Sequence, residues 1–394
     1  MKEIDTDILI IGGGLSGLLT ALALSSLRFQ IIILDKSFFL SKNKSNSDLR
    51  TTAIAEGSKI FLDSIGLWKK ISKYSEKINK IKVIDRKLPS NIKFSNSNKN
   101  SALGYVIKNT IIKKTIIKIL EQKKNIKIFE GQEINNIYYE GDQAVALTNK
   151  YKILPKLIVS ADGKKSNIRP IFKTPQFTKI YKHSALVVNF NHTKNHANIA
   201  HEIFFDTGPL AILPMKTEKK GFYSSSLIWS NNKKFVNAIA GVEEKLRQEI
   251  IGEKIIDYCG NITDLLDTKV FGLSAHINSK FFERRLVYIG DAAHSLHPIA
   301  GQGWNLGIRD IKNLYNTISC GKKIGIDIGS EYVCHQYHDI CFYDAYSLYQ
   351  ITDKLNSIFL DQKNISKLIR DFGFNIIDKN SLLKNKITNY AMGF

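Results

Sequence analysis

Apolar residues follow two periods along this chain. Unbroken apolar runs at 8–11, 31–34, 157–159 and 286–289 have the length of buried strands, and each is bounded by glycine or a polar residue. Stretches near 17–27, 56–65 and 110–122 read as helices, with Gly66 as a stop signal for the second. Shorter strands are expected at 126–129 and 144–147. Residues 77–98 alternate apolar and polar positions around Val83 and Ile92, and the Asn/Ser/Lys run at 95–101 reads as an exposed hairpin or loop. Between 176 and 270 the pattern changes to β-type runs at 185–190, 202–205, 210–213 and 223–229, whereas everything after Asp310 is helical.

Glycines and carboxylates sit where these elements end. The first strand runs into Gly12-Gly13-Gly14-Leu15-Ser16-Gly17, a helix follows, and the second strand ends at Asp35. Strand, GxGxxG, helix, strand and acid in that order define a dinucleotide-binding βαβ unit. Gly12 permits the tight turn, Gly14 lets the backbone approach a pyrophosphate, and Gly17 lets helix and strand pack closely. Leu15 and Ser16 start the helix beside the phosphates, and Asp35 is placed to accept ribose hydroxyl hydrogen bonds. The strand at 157–159 delivers Asp162-Gly163 and then Ser166 and Arg169. The strand at 286–289 delivers Gly290-Asp291, followed by His294, His297, Pro298, Gly301, Gln302, Gly303, Trp304 and Asn305 as a helix begins.

The segment from Arg285 to Asp310, RLVYIGDAAHSLHPIAGQGWNLGIRD, resembles the FAD-dependent aromatic-ring hydroxylases of ubiquinone biosynthesis, single-component flavoprotein monooxygenases with the para-hydroxybenzoate hydroxylase fold. Asp48-Leu49-Arg50, Asp162-Gly163, Thr352 to Asn356 and Ala391-Met392-Gly393 extend the likeness over nearly the whole chain. The resemblance implies an α/β fold. A discontinuous Rossmann-like FAD-binding domain (1–75, 100–175 and 271–345) is interleaved with a sheet-rich substrate domain (76–99 and 176–270), and a helical C-terminal segment (346–394) follows. It implies FAD held by Gly12, Gly14, Leu15, Ser16, Gly17, Asp35, Arg50, Asn109, Asp162, Gly290, Asp291, Trp304 and Asn305, with Pro298, Gly301, Gln302 and Gly303 lining the flavin. NADH or NADPH would be the donor and O2 the co-substrate, acting through a flavin C4a-hydroperoxide on a polyprenylated phenol. A non-catalytic FAD-fold subunit of a quinone-biosynthesis complex, an epoxidase and a prenyl reductase share these segments and stay open. The chain departs from the family with Asp35 for the usual Glu and with Cys341 where arginine is common.

Several positions admit two readings. Asn109 is a cofactor contact or a helix N-cap, Arg50 a cofactor contact or a surface arginine, and Arg169 an attractor of donor phosphates or a partner of Asp162. Glu202, Phe204, Leu213 and Trp229 are cavity residues or ordinary sheet core. His294 and His297 suit turn packing better than proton transfer. Cys334, His338 and Cys341 share a helical face with His335 adjacent, but packing explains them more simply than a metal, and no metal is expected.

Bulk composition adds partners. The 394 residues are 43% hydrophobic with four cysteines, too few for a disulfide framework, so a reducing compartment and two domains are expected. The net charge of +21 is lysine-rich. It reflects compositional drift or attraction to an anionic membrane, and no nucleic-acid module accompanies it; contact with other quinone-biosynthesis proteins is what the family resemblance implies. No apolar run approaches the roughly 20 residues a spanning helix needs, so a cytoplasmic protein, peripheral on the inner membrane face, is expected.

Overall fold

The computed structural model describes every residue except 39, 41–47, 49, 89–90, 97–100 and 362–363. The lysine-rich loop expected at 41–47, Leu49, and most of the run at 95–101 lie outside the described residues.

Two eight-stranded sheets build the molecule. In the first, the parallel strands Ile126–Glu130, Ile31–Asp35, Lys2–Ile11, Tyr151–Ser160 and Leu286–Tyr288 lie side by side in that order. By chain order this is 3-2-1-4-5, the doubly wound arrangement whose ligand crevice opens at the carboxyl ends, where strands 1 and 4 diverge. The unbroken apolar runs explain it: Ile8, Leu9, Ile10, Leu157, Ile158, Val159, Leu286 and Val287 are wholly inaccessible. A strand buried on both faces has no polar side to alternate with. The helix Leu15–Ser25 returns the chain between strands 1 and 2, and Asn109–Leu120 packs beside it.

The second sheet is strongly antiparallel and its strands are longer than the sequence suggested. Gln176–His192 and Ile262–Asn278 pair along most of their length, with register shifts near Ile180/Ser184. The expected division at 270/271 therefore falls inside a strand. Lys80–Asp85 and Asn91–Ser95 join this sheet, but Glu76–Ile78 pairs instead with Gly104–Lys108 in a separate three-stranded sheet that also holds Thr51–Ala55.

Alternation gives the second sheet two different faces. Leu186, Val188, Phe190, Ile203, Leu210, Ile212, Leu227 and Trp229 pack under the helices Lys233–Gly241 and Glu244–Cys259. Trp229 is thus sheet core, its ring 5.3 Å from Phe235, and not a cavity residue. Ala200, Leu213 and Met215 point the other way, toward Ala53, Val106 and Met392.

Helices close the chain over that second face. Phe359, in Glu331–Leu360, stacks on Phe204 with ring centroids 3.5 Å apart. Arg370, in Asn364–Lys379, meets Asp85 at 2.8 Å, both side chains under 5% exposed, and also donates to the carbonyls of Ile358 and Asp361. Removing one partner of such a pair leaves a buried charge uncompensated. Arg370→Leu should therefore lower stability in urea denaturation by about 3–5 kcal/mol, and a second substitution, Asp85→Leu, should restore most of the loss. An Arg370→Leu protein as stable as the wild type would refute this role for the pair.

Candidate functional site

Four loops meet at the carboxyl ends of the parallel strands, and close backbone approach sets their geometry. Gly12, with φ +117°, lies so near the fourth strand that a Cβ would stand 2.4 Å from the Ala161 carbonyl oxygen and 3.0 Å from the Asp162 Cα. At Gly17 a Cβ would stand 1.9 Å from the Gly12 carbonyl oxygen. Gly14 differs: it has an ordinary φ, is exposed, and has nothing within 4 Å of where its Cβ would be. The first two glycines serve packing, whereas the third opens space before a helix start that no side chain caps. The unpaired N–H groups of that first turn favour an anion.

Asp35 closes the turn from the second strand. Its carboxylate accepts from the Gly13 N–H at 2.5 Å and from the Ser37 N–H at 2.6 Å. Each oxygen keeps a further acceptor position, because an ionised carboxylate has about four. Asp162 accepts from the Ser160 hydroxyl at 2.7 Å and the Asn167 N–H at 2.8 Å, so it braces the fourth loop behind Gly12.

The loop after the fifth strand is bound to the loop after the first. Gly290, with φ +57°, leaves room for the Ser16 hydroxyl, which would lie 2.8 Å from a Cβ there. Its N–H donates to Asp310 at 3.0 Å, and His294 bonds the same carboxylate oxygen at 2.7 Å, with both side chains 1% exposed. Burial disfavours charge on His294, but the charge and hydrogen bond of Asp310 outweigh it and hold the imidazole above its ordinary 6.5. His294 is therefore part of the turn's frame. Asp291 beside it is exposed, and its charge reaches Arg50.

Arg50 and Asn109, apart in sequence, share one carboxylate. Arg50 pairs with Asp48 through two bonds of 2.7 and 2.8 Å and lies 5.5 Å from the Phe271 ring centroid. Asn109 donates to Asp48 at 2.9 Å and accepts from the Thr52 hydroxyl at 2.5 Å. Burial would raise the Asp48 pKa, but these partners lower it below its ordinary value. Asn109 makes no side-chain cap; the helix cap position is Lys108.

Two further expectations change. The Arg169 guanidinium is buried and bonds His276 at 2.7 Å and the Lys164 carbonyl, so it neither pairs with Asp162 nor faces solvent. Burial, then Arg169, pushes His276 down to about 3, leaving it neutral as an acceptor. Asn305 is 2% exposed, and its amide accepts from the Ala55 N–H at 2.8 Å and donates to the Ala53 carbonyl at 2.9 Å. Its side chain ties the helix Gln302–Lys323 to the strand Thr51–Ala55 and is not free for a ligand.

That helix starts from Gly301, at φ +61°, without a side-chain cap. A Cβ at Gly301 would touch Ala53 at 3.7 Å, while Gly303 has open space at its Cβ position. Gln302 reaches the Ala391 carbonyl at 3.3 Å, and half-buried Pro298 precedes the turn. The Trp304 ring packs on the core, and its indole N–H has no partner among the described residues. His297 is equally orphaned at both ring nitrogens, with Tyr181 edge-on at 4.8 Å, and burial pushes it down to about 4. Asp48, Thr52 and Asp310 were not singled out as site residues from the sequence. Asp310 and Asp48 had a signal, since one closes the signature segment and the other opens the Asp48-Leu49-Arg50 stretch.

Elsewhere, Cys334 and Cys341 are buried, His335 pairs with Asp339 at 2.9 Å, and His338 packs on Phe281, Phe282 and Phe342. Among the described residues no three His, Cys, Asp or Glu side chains gather as a metal site.

A doubly wound sheet with glycine turns at its switch point, packed beside a second sheet, defines the dinucleotide-binding class of fold. The chain belongs to the FAD binding domain family, whose model matches residues 5–323. It is 27% identical over 388 residues to ubiquinone hydroxylase UbiL of Rhodospirillum rubrum, covering 98% of this chain and 89% of that one. It is 23% identical over 398 residues to 3-demethoxyubiquinol 3-hydroxylase of Escherichia coli, covering all of both. The solved structure of p-nitrophenol 4-monooxygenase PnpA from Pseudomonas putida superimposes with a TM-score of 0.79 at 16% identity, covering 100% of this chain and 99% of that one. The residues present fit FAD: the open backbone at Gly14, the two uncapped helix starts and the exposed Asp291 suit a pyrophosphate, a flavin ring and a ribityl chain.

The contrast among glycines yields a test. Gly14→Ala should leave apo-protein melting unchanged while weakening FAD binding tenfold or more, a loss of about 1.4 kcal/mol or more. Gly17→Ala should fail to fold or melt far lower. Equal FAD affinity in Gly14→Ala and wild type would remove the open backbone at Gly14 from the account.

Proposed function

We propose that the protein is an FAD-dependent monooxygenase that hydroxylates the aromatic ring of a polyprenylated phenol in ubiquinone biosynthesis, using NADH or NADPH and O2. The observation that carries this reading is the apposition of the glycine crevice to one face of the second sheet, across the wall made by Gly301 and Ala53. The names of the ubiquinone-hydroxylase relatives support the substrate class.

Bound FAD supplies reducing equivalents and activates oxygen; the protein supplies position and dryness. Gly12, Gly14, Leu15, Ser16 and Gly17 would hold the pyrophosphate against the first helix start, with Asp35 at the adenosine ribose. Asp291 would take ribityl hydroxyls, and Arg50, held by Asp48, would balance negative charge near it. Pro298, Gly301, Gln302 and Gly303 would line the ring, while Asp310 and Asn305 position that turn. Leu213, Ala211 and Ile228, half-buried on the same face of the second sheet, would give the opposing wall an apolar surface for an aromatic ring.

The FAD-loaded protein, given NADH or NADPH, a prenylated phenol and labelled O2, should place one labelled oxygen atom in the product. Unlabelled product, or NAD(P)H oxidation that the phenol does not stimulate, would contradict this function. Among the described residues no helix is long and apolar enough to cross a membrane. The tail of a polyprenylated substrate lies in lipid, so we also propose peripheral contact with anionic membrane, each nearby Lys or Arg contributing about 1 kcal/mol. Flotation with anionic liposomes should fall as salt rises, and flotation insensitive to lipid charge would oppose it.

A further inference from the structure

Glu202 stands alone in the wall opposite the crevice. It lies in the strand Ile199–Phe205, paired with Val83 on one side and Ala211 on the other. The same row continues through Ile228 and Val187 to Lys269. Glu202 therefore shares its face with Leu213 and Phe204, away from the helix-covered core that holds Ile203 and Leu210. Val83, Glu202, Ala211, Leu213 and Ile228 are all half-buried, whereas Phe204 and Asp85 at the end of this face are buried under Phe359 and Arg370.

The face looks toward the crevice. Phe271, in register with Ala185 on the same face, carries Arg50 over its ring. Leu213 and Ala200 pack in one cluster with Ala53, the residue that adjoins Gly301. Two strands across and two residues along from Glu202, about 12 Å by ordinary strand geometry, Ser226 pairs with Leu213 on this face. Its buried hydroxyl has no partner among the described residues.

A carboxylate in such a row is normally paired, because burial penalises charge. Glu202 has no hydrogen bond or ion pair among the described residues, and burial alone raises its pKa from 4.5 to about 7. Nearby charges are engaged elsewhere: Asp85 with Arg370, Lys87 with Asp206, and Asp353 with Lys179 and Tyr181. Lys269 lies over the Phe271 ring, and Lys80 and Lys82 project from the opposite face. A group that titrates near neutrality beside an apolar platform suits a general base.

We propose that Glu202 is the general base of this site, taking the proton of a phenolic hydroxyl as oxygen is transferred to the ring. The phenolic O–H bond breaks, the carboxyl O–H bond forms, and the electron pair stays on the phenolic oxygen. The ring becomes electron-rich where hydroxylation needs it, and a neutral carboxylic acid is left in the wall. This inference rests on the ring-hydroxylation reading and adds the group that activates the substrate.

The test uses FAD-loaded wild type and Glu202→Gln, with 2-prenylphenol and its methyl ether as probes. Infrared difference titration, wild type minus variant, should show a carboxyl band with a midpoint near 7. The phenol should move that midpoint down, because its hydroxyl donates to the ionised form, and the methyl ether should not. In the wild type, kcat/KM should rise as pH rises through the same midpoint. Glu202→Gln should flatten that rise and lower kcat by about 10²–10⁴-fold, with KM within a few-fold because the amide oxygen still accepts a hydrogen bond. Ionising this carboxylate in the fold is unfavourable between pH 4.5 and about 7, so the variant should melt higher than wild type at pH 8 and equal to it near pH 4, which checks its folding. Wild-type kcat and pH profile in the variant, or a midpoint indifferent to the phenol, would overturn the base alone. A wild type yielding neither oxygenated product nor a band shift would overturn the ring-hydroxylation reading itself.

Discussion

The contact between the Gly17 backbone and the Gly12 carbonyl is the constraint on which the cofactor half depends. It brings the first helix down onto the first strand at a distance no side chain would permit, and the same turn is pressed against Ala161 by the positive φ of Gly12. Only with the helix that low does its uncapped start open at the level of the strand ends, where the loops of strands 2, 4 and 5 also finish. Gly14 then leaves open space beside that start, so one short segment both packs the fold and exposes the helix N–H groups.

The other loops are fixed to this turn by polar contacts of high fidelity. Asp35 holds it from the second strand, Asp162 braces the strand behind it, and Ser16 nests against Gly290, itself held by Asp310. Burying Asp310 is tolerable because the Gly290 N–H and His294 both donate to it. Asn305 carries the frame on to the strand Thr51–Ala55, which abuts the second sheet through Ala53. A chain of short contacts thus runs from the first glycine turn to the sheet that holds Glu202.

Local chemistry was readable from the sequence, and long-range register was not. The close packing at Gly12 and Gly17, the position of Asp35, Asp162 and Asp291 at or just beyond strand ends, and the turn before Gln302 follow from steric and capping rules that act over a few residues. Helix and strand types in the parallel sheet followed from unbroken apolar runs. Alternation showed that Glu202, Leu213 and Trp229 lie on strands, but which face each strand turns to the crevice depends on pairing with partners tens of residues away. Trp229 and Glu202 therefore looked equivalent and are opposite. Arg169 and Asn305 were misjudged for a related reason: their partners, His276 and the strand Thr51–Ala55, are about 107 and 250 residues distant.

A crystal structure of the FAD complex tests the central claim most directly. The account predicts the pyrophosphate within hydrogen-bonding distance of the N–H groups at the start of the helix Leu15–Ser25, the ribose at Asp35, and the flavin ring against Pro298 to Gly303 with Glu202 across the cavity. A pyrophosphate bound away from Gly14, or a flavin ring turned away from Gly301 to Gly303, would contradict it.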